Sequence, residues 1–97
     1  MLSIGENVVV CCIESILEEK EREKVRKNIL ETGRKLIEIS NEQTNHFAAN
    51  VLQVENNKKE KVMILSESAF RSFNEEQLKI LKETNQHLAV VKKNYFN

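Results

Sequence analysis

Proline and tryptophan are absent from this 97-residue chain, and glycine occurs only at Gly5 and Gly33. Two isolated glycines cannot form the Gly-rich loop that cradles a phosphate. Neither sign of charge prevails, since fifteen Lys+Arg meet fifteen Asp+Glu. A nucleic-acid binder carries a basic surplus or stripe, so that class of partner is set aside. The longest apolar run, Val8 to Ile13, has six residues. A membrane helix needs roughly 20, and no charged n-region followed by a long apolar stretch marks a signal peptide. No membrane partner is expected, and the cytoplasm is the expected location. Histidine occurs twice, at His46 and His87, with no second His or Cys at ligand spacing. A zinc site is therefore not expected, nor any other cofactor, and both rings read as surface or half-buried. The two cysteines, Cys11 and Cys12, are neighbours. On a strand they point to opposite faces, a bridge between them would be strained, and they read as buried thiols.

What is present is an ordinary globular mixture. Hydrophobic residues at 40% and charged residues at 31% place the chain outside the disordered class. Its length allows a single domain, 1–97, with a modest core. Asn7 to Ile13 is apolar without alternation, the pattern of a strand covered on both faces. Ser15 with Glu18 fits a capping box and predicts a helix over 16–32. That helix is laced by Glu18–Arg22 and Glu23–Lys27 pairs, with Leu17, Val25, Ile29 and Leu30 as a narrow apolar stripe. Gly33 supplies the stop.

A second strand is predicted at 36–39, and Ser40 with Gln43 could cap one helical turn. Strands at 50–55 and 61–66 flank the turn Asn56 to Glu60, in which Asn tolerates positive φ. Asn74 with Gln77 is another capping-box pattern. It opens a helix over 75–85 with Leu78 and Leu81 inward and Lys79 and Lys82 outward. A last strand is predicted at 88–92. Strands alternating with helices imply an open α/β sheet with helices on one or both faces. The charge runs Glu18 to Glu23 and Glu75-Glu76 read as a solvated face and a dipole-matched helix start. No complete active site emerges from these residues.

Three stretches carry a resemblance. "MLSIGENVVVCCIESI" (1–16) resembles the Gly turn and buried strand that follow the catalytic histidine in the amidinotransferase and arginine-deiminase superfamily. "EISNEQTNHFAANVLQV" (38–54) resembles its loop ending in Phe-Ala-(Ala/Gly)-Asn before a strand. "ILSESAFRSFNEEQLKIL" (64–81) resembles its strand, Ser-x-x-Ala-(Phe/Tyr) and Gln-bearing helix. The likeness is nearest to the citrulline-utilisation hydrolase type, with dimethylarginine dimethylaminohydrolase more distant. It implies a partial pentein fold, about two of five ββαβ modules set around a central active site. It also implies chemistry at a guanidino or ureido carbon of an arginine- or citrulline-like molecule, by hydrolysis or by amidino transfer. In that family a cysteine attacks, a histidine serves as acid and base, and carboxylates hold the nitrogens.

Matched by position, the family's histidine falls before Met1, its Gly-rich Arg-Cys segment after Asn97, and its carboxylates in earlier modules. The resemblance therefore implies a C-terminal fragment with no catalytic residue of its own, inactive alone. Cys11 and Cys12 match a buried strand rather than the nucleophile. Asn50 is the one candidate substrate-binding residue. It would stand where a strand enters the central channel, with Ala48 and Ala49 leaving room for close approach. Its amide can donate and accept at once; equally, Asn50 could simply close a turn through its backbone. The alternative to an enzyme fragment is a small non-catalytic α/β binding or oligomerisation module. Either way the chain is expected to associate, with copies of itself or with the missing modules, because the rows around Val8 to Ile13 and Val51 to Val54 would lack cover.

Overall fold

The computed structural model describes residues 2–92. Two hairpins, each followed by a helix and a returning strand, account for most of them. The first unit is β1 (Leu2–Ile4), β2 (Val8–Cys11), α1 (Glu19–Glu31) and β3 (Lys35–Glu38). A short helix α2 (Asn41–Asn45) leads to the second unit. That unit is β4 (Leu52–Glu55), β5 (Lys61–Ser66), α3 (Glu67–Ser72), α4 (Glu75–Thr84) and β6 (His87–Val91). Each unit forms its own three-stranded sheet, ordered β1-β2-β3 and β4-β5-β6. In both sheets the first pair is antiparallel and the second parallel. The ββαβ pattern thus occurs twice, as expected of a partial pentein-like α/β domain, but as two small sheets rather than one open one.

β2 is buried on both faces, as its unbroken apolar run requires. Val9, Cys11 and Ile13 face the α1 side, joined by Ile16, Ile29 and Leu36. Val8, Val10 and Cys12 face the other way, into the main core with Ile37, Met63, Leu65, Phe73 and Leu81. Helix α4 packs against both β3 and β6, so it lies between the two sheets and serves both. The row Val8 to Ile13, expected to lack cover, is therefore covered within this chain, by α1 on one face and by the second unit on the other. In the 51–54 stretch Val51 is buried, while Leu52 and Val54 are exposed at 52% and 36%.

Polar groups join the two units as well. Gln53 Nε2 donates to Asn7 Oδ1 and to Asn85 Oδ1, each at 2.9 Å. Asn7 Nδ2 donates to the Thr84 carbonyl at 2.9 Å, and Ser3 Oγ to the Val51 carbonyl at 2.7 Å. Two of the three capping boxes expected from sequence are formed, at Ser40/Gln43 and Asn74/Gln77. Their glutamines also meet. Gln43 Nε2 donates to Gln77 Oε1 at 2.6 Å, and Gln77 Nε2 reaches the Glu38 carbonyl at 2.7 Å.

Several expectations need correction. The first long strand ends at Cys11, and Ile13–Ser15 forms a 3-10 turn. Ser15 does not cap α1, because its hydroxyl donates to the Cys12 carbonyl at 2.7 Å and closes that turn. The helix starts at Glu19 after Glu18, which makes no side-chain cap. Instead, the Arg22 Nε donates back to the Ile16 carbonyl at 2.6 Å. The stripe on α1 is narrower than expected, since Leu17 and Leu30 are exposed at 94% and 59%. The ion pairs formed on α1 are Glu19–Arg22 and Glu23–Arg26 at i,i+3, with Arg26 also reaching Glu38 across to β3.

In the 56–60 turn the left-handed residue is Lys59, at φ 62°, not an asparagine. Asn56 acts through its side chain, whose Oδ1 accepts from the Lys58 and Glu60 amides. Strand β1 and helix α3 were not expected. Leu-Ser-Ile is too short to read as a strand alone, yet it pairs with β2 from Leu2↔Cys11 to Ile4↔Val9. The start of α3 is fixed by Ser66, whose Oγ accepts from the Ala69 amide at 3.1 Å.

Candidate functional site

The stretch from His46 to Val51 is a chain reversal between α2 and β4. The His46 amide donates to the Gln43 carbonyl and the Phe47 amide to the Thr44 carbonyl, each at 3.0 Å. Phe47 takes φ 63°, an uncommon conformation for a bulky residue. Ala48 and Ala49 then turn inward and are buried. Ala48 donates its amide to the Gln43 carbonyl at 3.1 Å. Small side chains let this reversal lie against Met63 and Leu65; a β-branched residue at Ala48 would meet a core already closed.

Asn50 follows, half-buried, two residues before β4 begins. Its amide donates to the Phe47 carbonyl at 2.9 Å, so the backbone does close a turn. Its side-chain amide makes no hydrogen bond among the described residues, which leaves a donor and an acceptor uncommitted at the strand entrance.

A concavity lies beside the same reversal. It measures about 770 Å³ and is lined from Ser40, Gln43 and His46 on one wall and Ser68, Arg71 and Ser72 of α3 on the other, with Lys92 beyond β6. The carboxyl ends of β3, β5 and β6 all deliver chain to it, the usual position for a ligand crevice in α/β folds. Its walls mix Arg71 and Lys92 with Glu42 and Glu67, and Glu67 is paired with Arg71. His46 Nδ1 lies 3.4 Å from Ser68 Oγ. Among the described residues no third group hydrogen-bonds that exposed imidazole, and the base of an activated hydroxyl would have such a partner. The walls of the cleft offer hydroxyl, amide and charged groups to a polar molecule. No local pattern marks it, because one of its walls belongs to α3, which lies more than twenty residues beyond the other.

The thiols are equally remote from chemistry. Cys11 is buried under α1, and that burial pushes its thiol above the ordinary range. Cys12, on the opposite face, donates its Sγ–H to Asn41 Oδ1 at 3.2 Å. Both are core residues, as expected. His87 is exposed and sits 3.2 Å from Glu60. Glu60's carboxyl is held below its usual range by the Asn56 amide and then by His87. Among the described residues no group of three His, Cys, Asp or Glu could hold a metal ion. No described helix is long and apolar enough to cross a membrane.

A family profile described as eukaryotic N,N dimethylarginine dimethylhydrolase matches residues 1–94. The chain belongs to that family. The match covers nearly all of it and places it in the amidinotransferase-type, pentein superfamily, among hydrolases of the guanidino group. The doubled ββαβ unit is the architecture such a chain should have. No curated protein matches the chain significantly, and neither does any solved structure.

Proposed function

We propose that this chain is a C-terminal part of a hydrolase acting at the guanidino or ureido carbon of an arginine-like molecule in the cytoplasm. The match to the dimethylarginine family over 1–94 carries this reading. Methylated arginine is the substrate class that the match favours; the motifs at 38–54 and 64–81 favour a citrulline-type substrate as the second choice. In this proposal the two ββαβ units are structural walls of a shared active site, and the attacking cysteine, the histidine and the carboxylates come from segments beyond them. Asn50 supplies an amide at the channel mouth. Its uncommitted side chain and its place beside a tightly packed Ala-Ala turn support that role.

The isolated chain should hydrolyse neither arginine, citrulline nor dimethylarginine above background. Loss of nucleophile and base together removes several orders of magnitude in rate. Supplied with the remaining modules of the enzyme as a second chain, it should restore turnover, and Asn50→Ala should raise KM more than it lowers kcat. Turnover by the chain alone, abolished in Cys11→Ser, would sink the assignment. A non-catalytic α/β module is the second reading. The closed core shared by both units favours it, and failure of the two-chain mixture to turn over any of the three substrates would move it ahead.

A further inference from the structure

The four outer strands of the two sheets are not equally protected. β1 is three residues long, and both it and β4 are tied into the joint between the units through Ser3 to the Val51 carbonyl and the Glu6 amide to Gln53. β3 carries Lys35 and Glu38, paired with Glu83 and Arg26. Short strands and charges of this kind keep an edge from pairing with another chain. β6 has neither device. His87-Leu-Ala-Val-Val runs five residues with no Lys, Arg, Asp, Glu, Gly or Pro. Apart from its ladder with β5, no backbone hydrogen bond of His87–Val91 forms among the described residues.

We propose that β6 is a self-pairing edge, and that two copies of this chain join β6 to β6 about a two-fold axis to make one continuous six-stranded sheet. The registry follows from parity. Leu88 packs toward the core, so Val90 shares its face while His87, Ala89 and Val91 share the other. A two-fold axis normal to the sheet makes the strands antiparallel and allows only registers that keep these faces together. Centring the axis on Ala89 pairs all five residues, with Leu88 opposite the partner's Val90 and Ala89 opposite the partner's Ala89. The smallest side chain then sits at the crossing point, and no charge faces another. Val90, exposed at 39% at the rim of the helix-covered face, gains an apolar neighbour. The opposite face doubles as well. It carries Leu52, Val54, Val62, Ile64 and Ala89, none of which belongs to either apolar cluster. One sheet alone, three strands about 4.8 Å apart and five residues long, offers roughly 200–250 Å² there. That is well short of the about 800 Å² per partner of a standard face-to-face interface. Edge pairing is favoured over stacking because it satisfies the free main-chain groups of β6, which stacking leaves unpaired.

Sedimentation of the full chain across a concentration series tests this. The mass should rise from the 11.3 kDa of one chain to twice that and stop. Val90→Lys sets each ammonium group against the partner's Leu88 in place of an apolar contact, with the two charges on the diagonal about 7–8 Å apart, and should weaken association several-fold. Circular dichroism should be unchanged. Leu17→Lys, at an exposed site far from β6, and Val54→Lys, on the open sheet face, should both dimerise like the parent. A monomer at every concentration, growth past the dimer, or dimerisation lost in Val54→Lys but kept in Val90→Lys would each overturn the proposal. Should Val90→Lys fail to fold, hydrogen exchange of the parent decides. The Gln86 amide donates to the Lys61 carbonyl of β5, so by the strand's two-residue period the amides of His87, Ala89 and Val91 face the open edge. These must gain protection as concentration rises, and unchanged exchange there refutes edge pairing.

Discussion

Replacing Gln77 by leucine isolates the polar lock between the two units. Leucine is close to glutamine in volume and is a better helix former, so neither a cavity nor helix propensity should dominate. What is lost is specific. Gln77 Oε1 accepts from the Asn74 amide at 2.9 Å and from Gln43 Nε2 at 2.6 Å. Its Nε2 donates to the Glu38 carbonyl at 2.7 Å and to Gln43 Oε1 at 3.2 Å. The side chain is 8% exposed, so water cannot replace all of these partners. Each net hydrogen bond contributes about 0.5–1.5 kcal/mol, and a stranded buried group costs about 1–3 kcal/mol. Allowing for solvent at the Asn74 end, the expected loss is about 2–4 kcal/mol, a large share of the roughly 5–15 kcal/mol that holds a domain together. Urea titration followed by circular dichroism, at concentrations too low for association, measures it directly. The thermal midpoint should fall by roughly 4–8 °C for each kcal/mol lost. Gln43→Leu should cost a similar amount. The double variant should cost less than the two summed, by about 0.5–3 kcal/mol, because the two amides form one network. A Gln77→Leu protein within about 0.5 kcal/mol of the parent, or single effects that simply add, would show that the amide pair does not join the units.

Three further outcomes are expected. Gly5→Ala should destabilise by about 1–2 kcal/mol, because its new Cβ would lie 2.6 Å from Gln53 Oε1, and moving that oxygen releases the Glu6 amide; calorimetry measures the shift. Leu81→Ala, fully buried between the sheets, should cost about 2–5 kcal/mol in urea titration, whereas Leu17→Ala should change stability by under about 0.5 kcal/mol. Cys11 gives a pH signature. Its thiol is raised in the folded state by burial, so the unfolded chain loses that proton first. The stability this confers is complete below the ordinary thiol range and is lost as pH rises through the folded value. Cys11→Val should lack that portion of the alkaline decline in denaturant titrations run at a series of pH values.

How much was legible beforehand depended on whether the signal was local. The capping boxes at Ser40/Gln43 and Asn74/Gln77 were read correctly because each is complete within four residues. The same pattern at Ser15/Glu18 misled, since a hydroxyl that could cap a helix can equally close the turn before it. β2 was legible because a strand covered on both faces needs an unbroken apolar run. What covers its inner face was not, because Leu81 and Phe73 lie more than sixty residues further along the chain. β1 escaped because three residues carry too little pattern; its partner, not its own sequence, makes it a strand. The cleft beside His46 escaped for the same kind of reason, its two walls being separated by the hairpin of β4 and β5. Asn50 was reached only through resemblance to a family motif. Nothing in its immediate neighbours distinguishes it from the other asparagines of the chain.

The sharing of α4 between the two sheets has a consequence for synthesis. The inner face of the first sheet, with Val8, Val10 and Ile37, has no cover of its own. As the chain leaves the ribosome, at about 5–20 residues per second, that face is not closed until the stretch from Met63 to Leu81 has emerged. The first ββαβ unit therefore cannot be completed in the order in which it is made. It must wait for the second, and during that interval the nascent chain shows an apolar surface open to other chains. A break in the 46–50 reversal would make the wait permanent. It would leave each half with an apolar face that the other normally covers, even though the chain repeats one design.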